Sequence, residues 1–444
     1  MRDLKRAKLP GHRLISWLFL AVVFTLQGCS HYAEKNQDIR DQLMTGRPDI
    51  ALSVFEREVH DTSDRVLTHL HKGMLKRMIG EFAASNKDFE MAKNEMAELY
   101  ATSVTQMVGS VVVNDTIRDY TGDRYEQVLL HAYMALNYLN LNQLDDARSE
   151  MVQADLKMRE WGEVPLHDPF VHYLSGLIFE ASAQYEQAVI AYRKAMQVYK
   201  TTIKKHGVVV PVQLQKDFAR LLNRQGLENE LRQLSNEYDT AFNTKAEKDK
   251  GYLVALLDNG LGPVKSQHLI MSWSPVINRR VKIALPVYEE QADQVNKARL
   301  EIAGQRYNFN RVENVDAMAR SALYDALPAI SARALARMIV KYQSGKQTEK
   351  RTGGVVGSIF KLGNLATEVA DTRSWSSLPQ EIQLTRVALP AGEYNATVEI
   401  MGADGVIDSM SHSVKIETGK ITFISDHWAA RRPKKFNYRQ AATN

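Results

Sequence analysis

Cysteine is almost missing. The 444 residues hold one, Cys29, so no internal disulfide and no multi-cysteine zinc or iron–sulfur site can form. Long apolar runs are equally scarce. Only the stretch from Leu14 to Leu26 looks membrane-directed, and its 13 residues fall short of the roughly 20 that a spanning helix needs. A polytopic membrane protein is excluded. The signatures of common chemistry are absent too. No GxSxG occurs for a serine nucleophile. GLGPVKS (260–266) lacks the Gly before Lys of a phosphate loop, and Pro263 removes a backbone donor that such a cradle needs. His69 and His71 are two residues apart rather than four, His167 and His172 flank Pro169 without a partner acid, and GADGVIDS lacks the alternating carboxylates of a calcium loop. Adjacent carboxylates such as Asp145-Asp146 and Glu289-Glu290 do not converge for acid/base work. Carboxylates brought together only by folding stay open. What is present is ordinary globular composition, 44% hydrophobic and 25% charged, with ample length for a core.

The amino terminus reads as an address. MRDLKRAKLPGHR carries five Lys/Arg and one acid, then come the apolar run and Leu26-Gln27-Gly28-Cys29. This is the plan of a secretory signal peptide, and its last four residues resemble the lipobox of bacterial lipoproteins. The resemblance implies cleavage of residues 1–28, lipidation of Cys29 and a short tether over 29–37. Two or more acyl chains hold a protein on a bilayer stably. Ser30, where Asp would retain the protein at the inner membrane, implies an outer-membrane address with the body in the periplasm. Charge agrees with a non-nucleic-acid role. The chain is +5, but without residues 1–28 it is +1, and 29–428 alone are −4 because the tail 429–444 holds five Lys/Arg and no acid. A basic surface for nucleic acid is therefore missing.

Residues 38–246 read as helical. Four segments place a small residue four before a larger apolar one: Ala51 and Phe55, Ala92 and Met96, Ala147 and Met151, Ala188 and Tyr192. Ala51 to Ala92 and Ala147 to Ala188 are each 41 residues. These segments resemble tetratricopeptide (TPR) repeats, with Ala135, Tyr138, Ala147 and Ala154, then Gly176, Phe179, Ala188 and Ala195 at packing positions. The period is longer than the 34 of that family. An α-hairpin stack with a concave face for binding other proteins is the expectation.

Residues 251–428 change period. Strand-like runs surround the turn Asn259–Pro263, RRVKIALPVY and KARLEIAGQRYNF continue them, and 380–427 alternate with turns about every ten residues. Between lies a helical insert, about 312–370, with Pro328 expected to kink it. The strands of 251–310 and 380–427 are expected to pair, giving one α+β fold with a β-sheet or sandwich-like domain behind the TPR-like half.

DNGLGPVK (258–265), KIALPVY (282–288), ADTRSWSSLPQEIQLTRVALPAGEY (370–394) and LNQLDDARSEM together resemble a poorly characterised family of bacterial TPR-containing outer-membrane lipoproteins. The resemblance implies a scaffold or accessory factor of cell-envelope assembly, bound to other envelope proteins through the repeats and to the membrane through Cys29. It implies no catalysis and no cofactor. The candidate partner-binding or junction residues are Arg118, Asp119 and Arg124 in the charged segment 102–126, and Asp371, Arg373 and Trp375. A peptidoglycan-processing enzyme is one rival. An oligomeric membrane-inserting secretion component, using the Gly353/Gly357 spacing, is the other.

Overall fold

The structure, a computed structural model, describes residues 37–58, 64–105, 119–162, 167–244, 249–290, 297–352 and 369–429. Cys29, the run before it, Arg118, Gly353, Gly357 and the basic tail lie outside the described residues.

The helical half is a series of hairpins. A helix at 37–43 (α1) pairs with α2 (Pro48–Glu58), α3 (Arg65–Met78) with α4 (Phe82–Thr105), α5 (Arg124–Asn140) with α6 (Leu144–Glu160), α7 (Pro169–Ala181) with α8 (Tyr185–His206), and α9 (Val212–Arg224) with α10 (Glu228–Glu237). Every pair turns through one residue in the left-handed region, namely Gly46, Gly80, Asn142, Ala183 and Gly226. Five residues later, the N–H groups of Ala51, Ser85, Ala147, Ala188 and Leu231 close the first turn of each second helix, at 2.8–3.1 Å. These five are the equivalent positions.

That equivalence corrects the repeat spacing. Ala92 lies seven residues beyond Ser85, about two turns further along α4. Gly46 and Gly80 are 34 residues apart, the ordinary TPR period. The fifth hairpin escapes the sequence pattern because Leu231 replaces the small residue. A turn after Ser85 and Ala188, Phe89 and Tyr192 lie flat against the glycines of the facing helix. A Cβ on Gly73 would come within 2.4 Å of Phe89, and one on Gly176 within 2.2 Å of Tyr192.

The second half holds β1 (Lys250–Asn259), β2 (Lys265–Ser274), β3 (Arg279–Tyr288), β4 (Lys297–Ile302), β5 (Gln305–Asn308), β6 (Asn310–Asn314), the 38-residue helix α11 (Val315–Thr352), β7 (Glu381–Pro390), β8 (Gly392–Gly402), β9 (Gly405–Ile416) and β10 (Ile421–Trp428). The expected pairing across the insert is present. One sheet runs β10-β1-β7-β6, with β1 parallel to β10 and antiparallel to β7; another runs β5-β4-β8-β9; β2 and β3 form a separate hairpin. Residues 312–314, counted with the insert from sequence, belong to strand β6. Pro328 sits inside α11 without ending it.

Three layers result. Leu253, Ala255 and Leu257 of β1 join Val387 and Leu389 of β7 in packing on Leu300, Val398 and Ile400 of the second sheet. The alternate residues Val254, Leu256, Ile382 and Leu384 face the other way and share one core with the helical repeats. Alternation along a strand buried on both faces thus places one sheet between two partners. Consequently the first helices of the hairpins are covered. Almost all of α7 is buried. Tyr133 of α5 donates to Asp258 of β1 at 3.2 Å, and Tyr199 of α8 to the Val312 carbonyl of β6 at 2.6 Å. The face expected to be open for a partner is occupied by the chain's own sheet.

Candidate functional site

DNGLGPVK, KIALPVY and the segment 370–394 meet at the junction of the two halves, whereas LNQLDDARSEM lies apart in the α5–α6 hairpin. The Gly262 N–H donates to the Leu378 carbonyl at 2.6 Å, and Gln380 N–H to the Asn259 carbonyl at 3.1 Å. Arg40 of α1 donates to the carbonyls of Gly262 and Ser376 at 2.7 and 3.2 Å. Trp375 is buried and packs edge-on against Phe89 and Tyr133. Its backbone N–H donates to Glu126 at 2.8 Å.

Glu126 is the centre of this junction. It lies in the first turn of α5, and its carboxylate closes back on the Asp123 N–H at 2.9 Å while accepting from Tyr120 and Tyr125. The Asp-x-x-Glu spacing is a helix-start signal legible in the sequence. Burial first, and the neighbouring Asp123 second, raise its pKa, against the opposing pull of Lys265. Lys265 pairs with Asp123 at 3.0 Å. Burial lowers the Lys265 pKa, but Asp123, Tyr288 and Glu126 outweigh it, and the ammonium is held charged.

Above this lies a cleft of about 270 Å³, roofed by α11 and lined in part by Asp119, Asp123, Lys265, Arg333, Asp371 and Arg373. Three candidate residues, Asp119, Asp371 and Arg373, therefore come together. Arg373 bridges Asp371, at 2.8 and 2.9 Å, and Asp64 before α3, at 2.5 Å. Its exposure is 7% and that of Trp375 is 1%, so both tie segments together rather than face solvent. Arg124 is apart, exposed, with its guanidinium 5.5 Å from the Trp161 ring centre.

Arg124 opens on an adjoining cavity of about 400 Å³ whose lining includes Trp161, His167, Asp168, Lys205, His206 and Asp325. Burial, then Lys205, lowers the His206 pKa to about 4, and burial, then Lys194, lowers that of His172 to about 3. These rings are neutral at pH 7. Asp168 caps α7, accepting from Val171 N–H at 2.9 Å; Asp before Pro at a helix start was a readable signal. Glu313 of β6, far off in sequence, faces it. Both are fully buried, and burial followed by mutual repulsion pushes Glu313 well up, while burial lifts Asp168 to about 6. Asp168 Oδ2 and Glu313 Oε2 have no hydrogen-bond partner among the described residues, and both raised pKa values favour the protonated carboxyl. Among the described residues no group of three or more His, Cys, Asp or Glu could hold a metal ion.

A third concavity, about 530 Å³, lies on the side of the repeats that the sheet leaves free. It runs between α4, α5 and α6, with Lys93, Met96, Gln127, Gln153, Leu156 and Lys157 in its lining. Its floor is an ionic chain in which Lys93 reaches Glu90 at 2.7 Å and Glu150 at 3.2 Å, and His131 reaches Glu150 at 2.7 Å. Burial raises the Glu150 pKa, but His131 and Lys93 overcome it and the carboxylate stays charged. Leu156 in its lining is 54% exposed, and Tyr100, 68% exposed, has its ring centre 6.0 Å from Lys157 Nζ.

No family model matches the chain, and no curated protein matches it. Solved structures resemble its helical half. MamA of AMB-1 is 14% identical with a TM-score of 0.29, over 47% of this chain and 91% of that one. The apo form of RapI is 12% identical with a TM-score of 0.34, over 47% and 72%. Bacillus thuringiensis PlcR, solved with the peptide PapR7 and DNA, is 12% identical with a TM-score of 0.28, over 48% and 70%. At these TM-scores the likeness carries no argument of its own. The repeated left-handed turns and the glycine–ring contacts make the helical half TPR-like.

Proposed function

We propose that this protein is a lipid-anchored adaptor of a bacterial cell envelope, held at the outer membrane through Cys29, that captures another envelope protein without catalysis of its own. The lipobox-like Leu26–Cys29 supports the anchor, and the TPR-like half supports protein binding. The observation that carries the reading is the third concavity. With the first-helix face covered by sheet, the groove across α4, α5 and α6 stays open, and it offers both charges beside exposed Leu156, with the exposed Tyr100 next to Lys157. Aromatic and apolar side chains set among polar ones are the composition of a protein interface. A partner segment lying in this groove would meet Lys157 through an acidic side chain and Leu156 through an apolar one.

The test is capture by the purified acylated protein. Lys157→Glu and Gln127→Glu should reduce recovery of the partner at least tenfold, with circular dichroism unchanged, and mass spectrometry of the membrane-bound protein should find acyl chains on Cys29. Undiminished capture by the groove variants would overturn the binding reading. A membrane-bound protein with an unacylated Cys29 would overturn the anchor.

A further inference from the structure

The β2–β3 hairpin is basic and free of acids. From Lys265 to Tyr288 it has four Lys/Arg and no Asp or Glu, in a protein whose residues 29–428 are net negative. One face of the hairpin is spoken for. Ile270, Val281, Ile283 and Leu285 pack against Ala334 and Met338 of α11. The opposite face carries Leu269, Met271 and Trp273 on alternate positions of β2, with Val276 at the tip. They are 44%, 64%, 56% and 67% exposed. Cross-strand pairing sets Met271 beside Lys282 and Trp273 beside Arg280, and both cations are exposed. Lys265, at the base, is taken by Asp123.

We infer that this hairpin docks on an anionic phospholipid bilayer, inserting Trp273, Met271, Leu269 and Val276 at headgroup depth while Arg280 and Lys282 meet lipid phosphates. Four large apolar side chains held in water by a two-stranded ribbon are costly unless covered. A protein partner would be recognised by mixed charge and by hydrogen-bonding groups. Here the charge is of one sign, and Trp at the boundary between an apolar patch and a cationic rim is the pattern of a membrane–water interface. Each Lys or Arg near an anionic surface adds about 1 kcal/mol, so the apolar insertion and the charge act together. No helix among the described residues is long and apolar enough to cross a membrane, and none is required.

The inference does not rest on lipidation of Cys29. Every variant compared carries the same amino terminus, so the anchor is constant while the hairpin changes. The probe is the Trp273 contribution to emission, taken as the difference between the mature protein (29–444) and its Trp273→Phe variant, on vesicles of phosphatidylglycerol and phosphatidylcholine, with lipids brominated just below the headgroup as quenchers. Quenching of that contribution is expected on the anionic vesicles, and weaker on phosphatidylcholine alone. Arg280→Gln and Lys282→Gln should each lower the fraction in contact by about fivefold, without change in circular dichroism. Trp273 that stays unquenched and accessible to iodide on anionic vesicles would overturn the proposal. Equal quenching on neutral lipid would overturn it as well. So would a blue shift that depends on protein concentration and not on lipid, because a second copy of the chain would then be the occupant.

Discussion

At the scale of single residues, the halves are joined by buried charge. Arg386 of β7 reaches Glu180 of α7 at 2.7 and 3.1 Å and Asp217 of α9 at 3.0 Å. Arg220 reaches Glu180 at 2.7 Å, and Tyr192 and Tyr173 donate to Glu180 and Asp217 at 2.9 and 2.8 Å. The Arg386 carbon also lies 4.1 Å from the Tyr252 ring centre. Removing one member of such a fully buried cluster strands its partners, at a cost of about 3–5 kcal/mol. Arg386→Met should therefore lower the urea midpoint by that amount of stability. None of this was legible, because Glu180 and Arg386 lie 206 residues apart and spacing reveals only neighbours. The junction residues Asp371, Arg373 and Trp375 were legible as a group, since they share one short segment.

The buried carboxyls give stability two opposed pH limbs. Burial raises the Glu180 pKa, Arg386 and Arg220 outweigh it, and the result is about 2 against an ordinary 4.5. Its contribution is complete above 4.5 and is lost as pH falls towards 2. Asp168 and Glu313 act the other way. The folded state holds protons on these carboxyls more tightly than the unfolded chain does, so stability falls as pH rises above about 4, through 6 for Asp168 and further for Glu313, which is pushed up more. Glu313→Gln should flatten that fall, leaving the variant less sensitive than the parent to a change from pH 5 to pH 8. Chemical denaturation at the two pH values measures it; an unchanged slope would contradict a protonated Glu313 in the folded state.

At the scale of elements, the repeats are set by turns and by close helix contacts. Gly176→Ala drives a Cβ to 2.2 Å from the Tyr192 ring, and overpacking of this kind costs about 1–3 kcal/mol. A lower thermal midpoint with retained helix content is the expected outcome. The hairpins from α5 to α8 were readable because Ala147 and Ala188 keep the small residue at one offset. The fold departs where that signal is carried by another residue, Ser85 in α4 and Leu231 in α10, and the local search then picks Ala92 instead. The burial of α7 had a signal that the hairpin reading did not use: PFVHYLSGLIFEA is apolar around its whole circumference, and a helix of that kind must be covered on every side. The strands were readable from their alternation, yet which face of β1 meets the repeats depends on the whole assembly.

For the whole molecule, the helical and β halves form one hydrophobic core, in which Trp375, Leu384 and Val254 sit with Tyr133 and Leu177. Residues 37–246 expressed alone would expose the first-helix face to water. That fragment should bind a hydrophobic dye and lose sharp tertiary signals, where the full chain does neither. This closure bears on the proposed partner site, because it covers the first-helix face and leaves the groove across α4, α5 and α6 open. Photo-crosslinking in living cells, with the reactive residue placed in turn at Gln153 and Leu156 in the groove and at Ile190 on the exposed side of α8, tests that claim most directly. The account predicts the same envelope protein attached from both groove positions and not from Ile190. Adducts equal at all three positions, or from Ile190 alone, would contradict it.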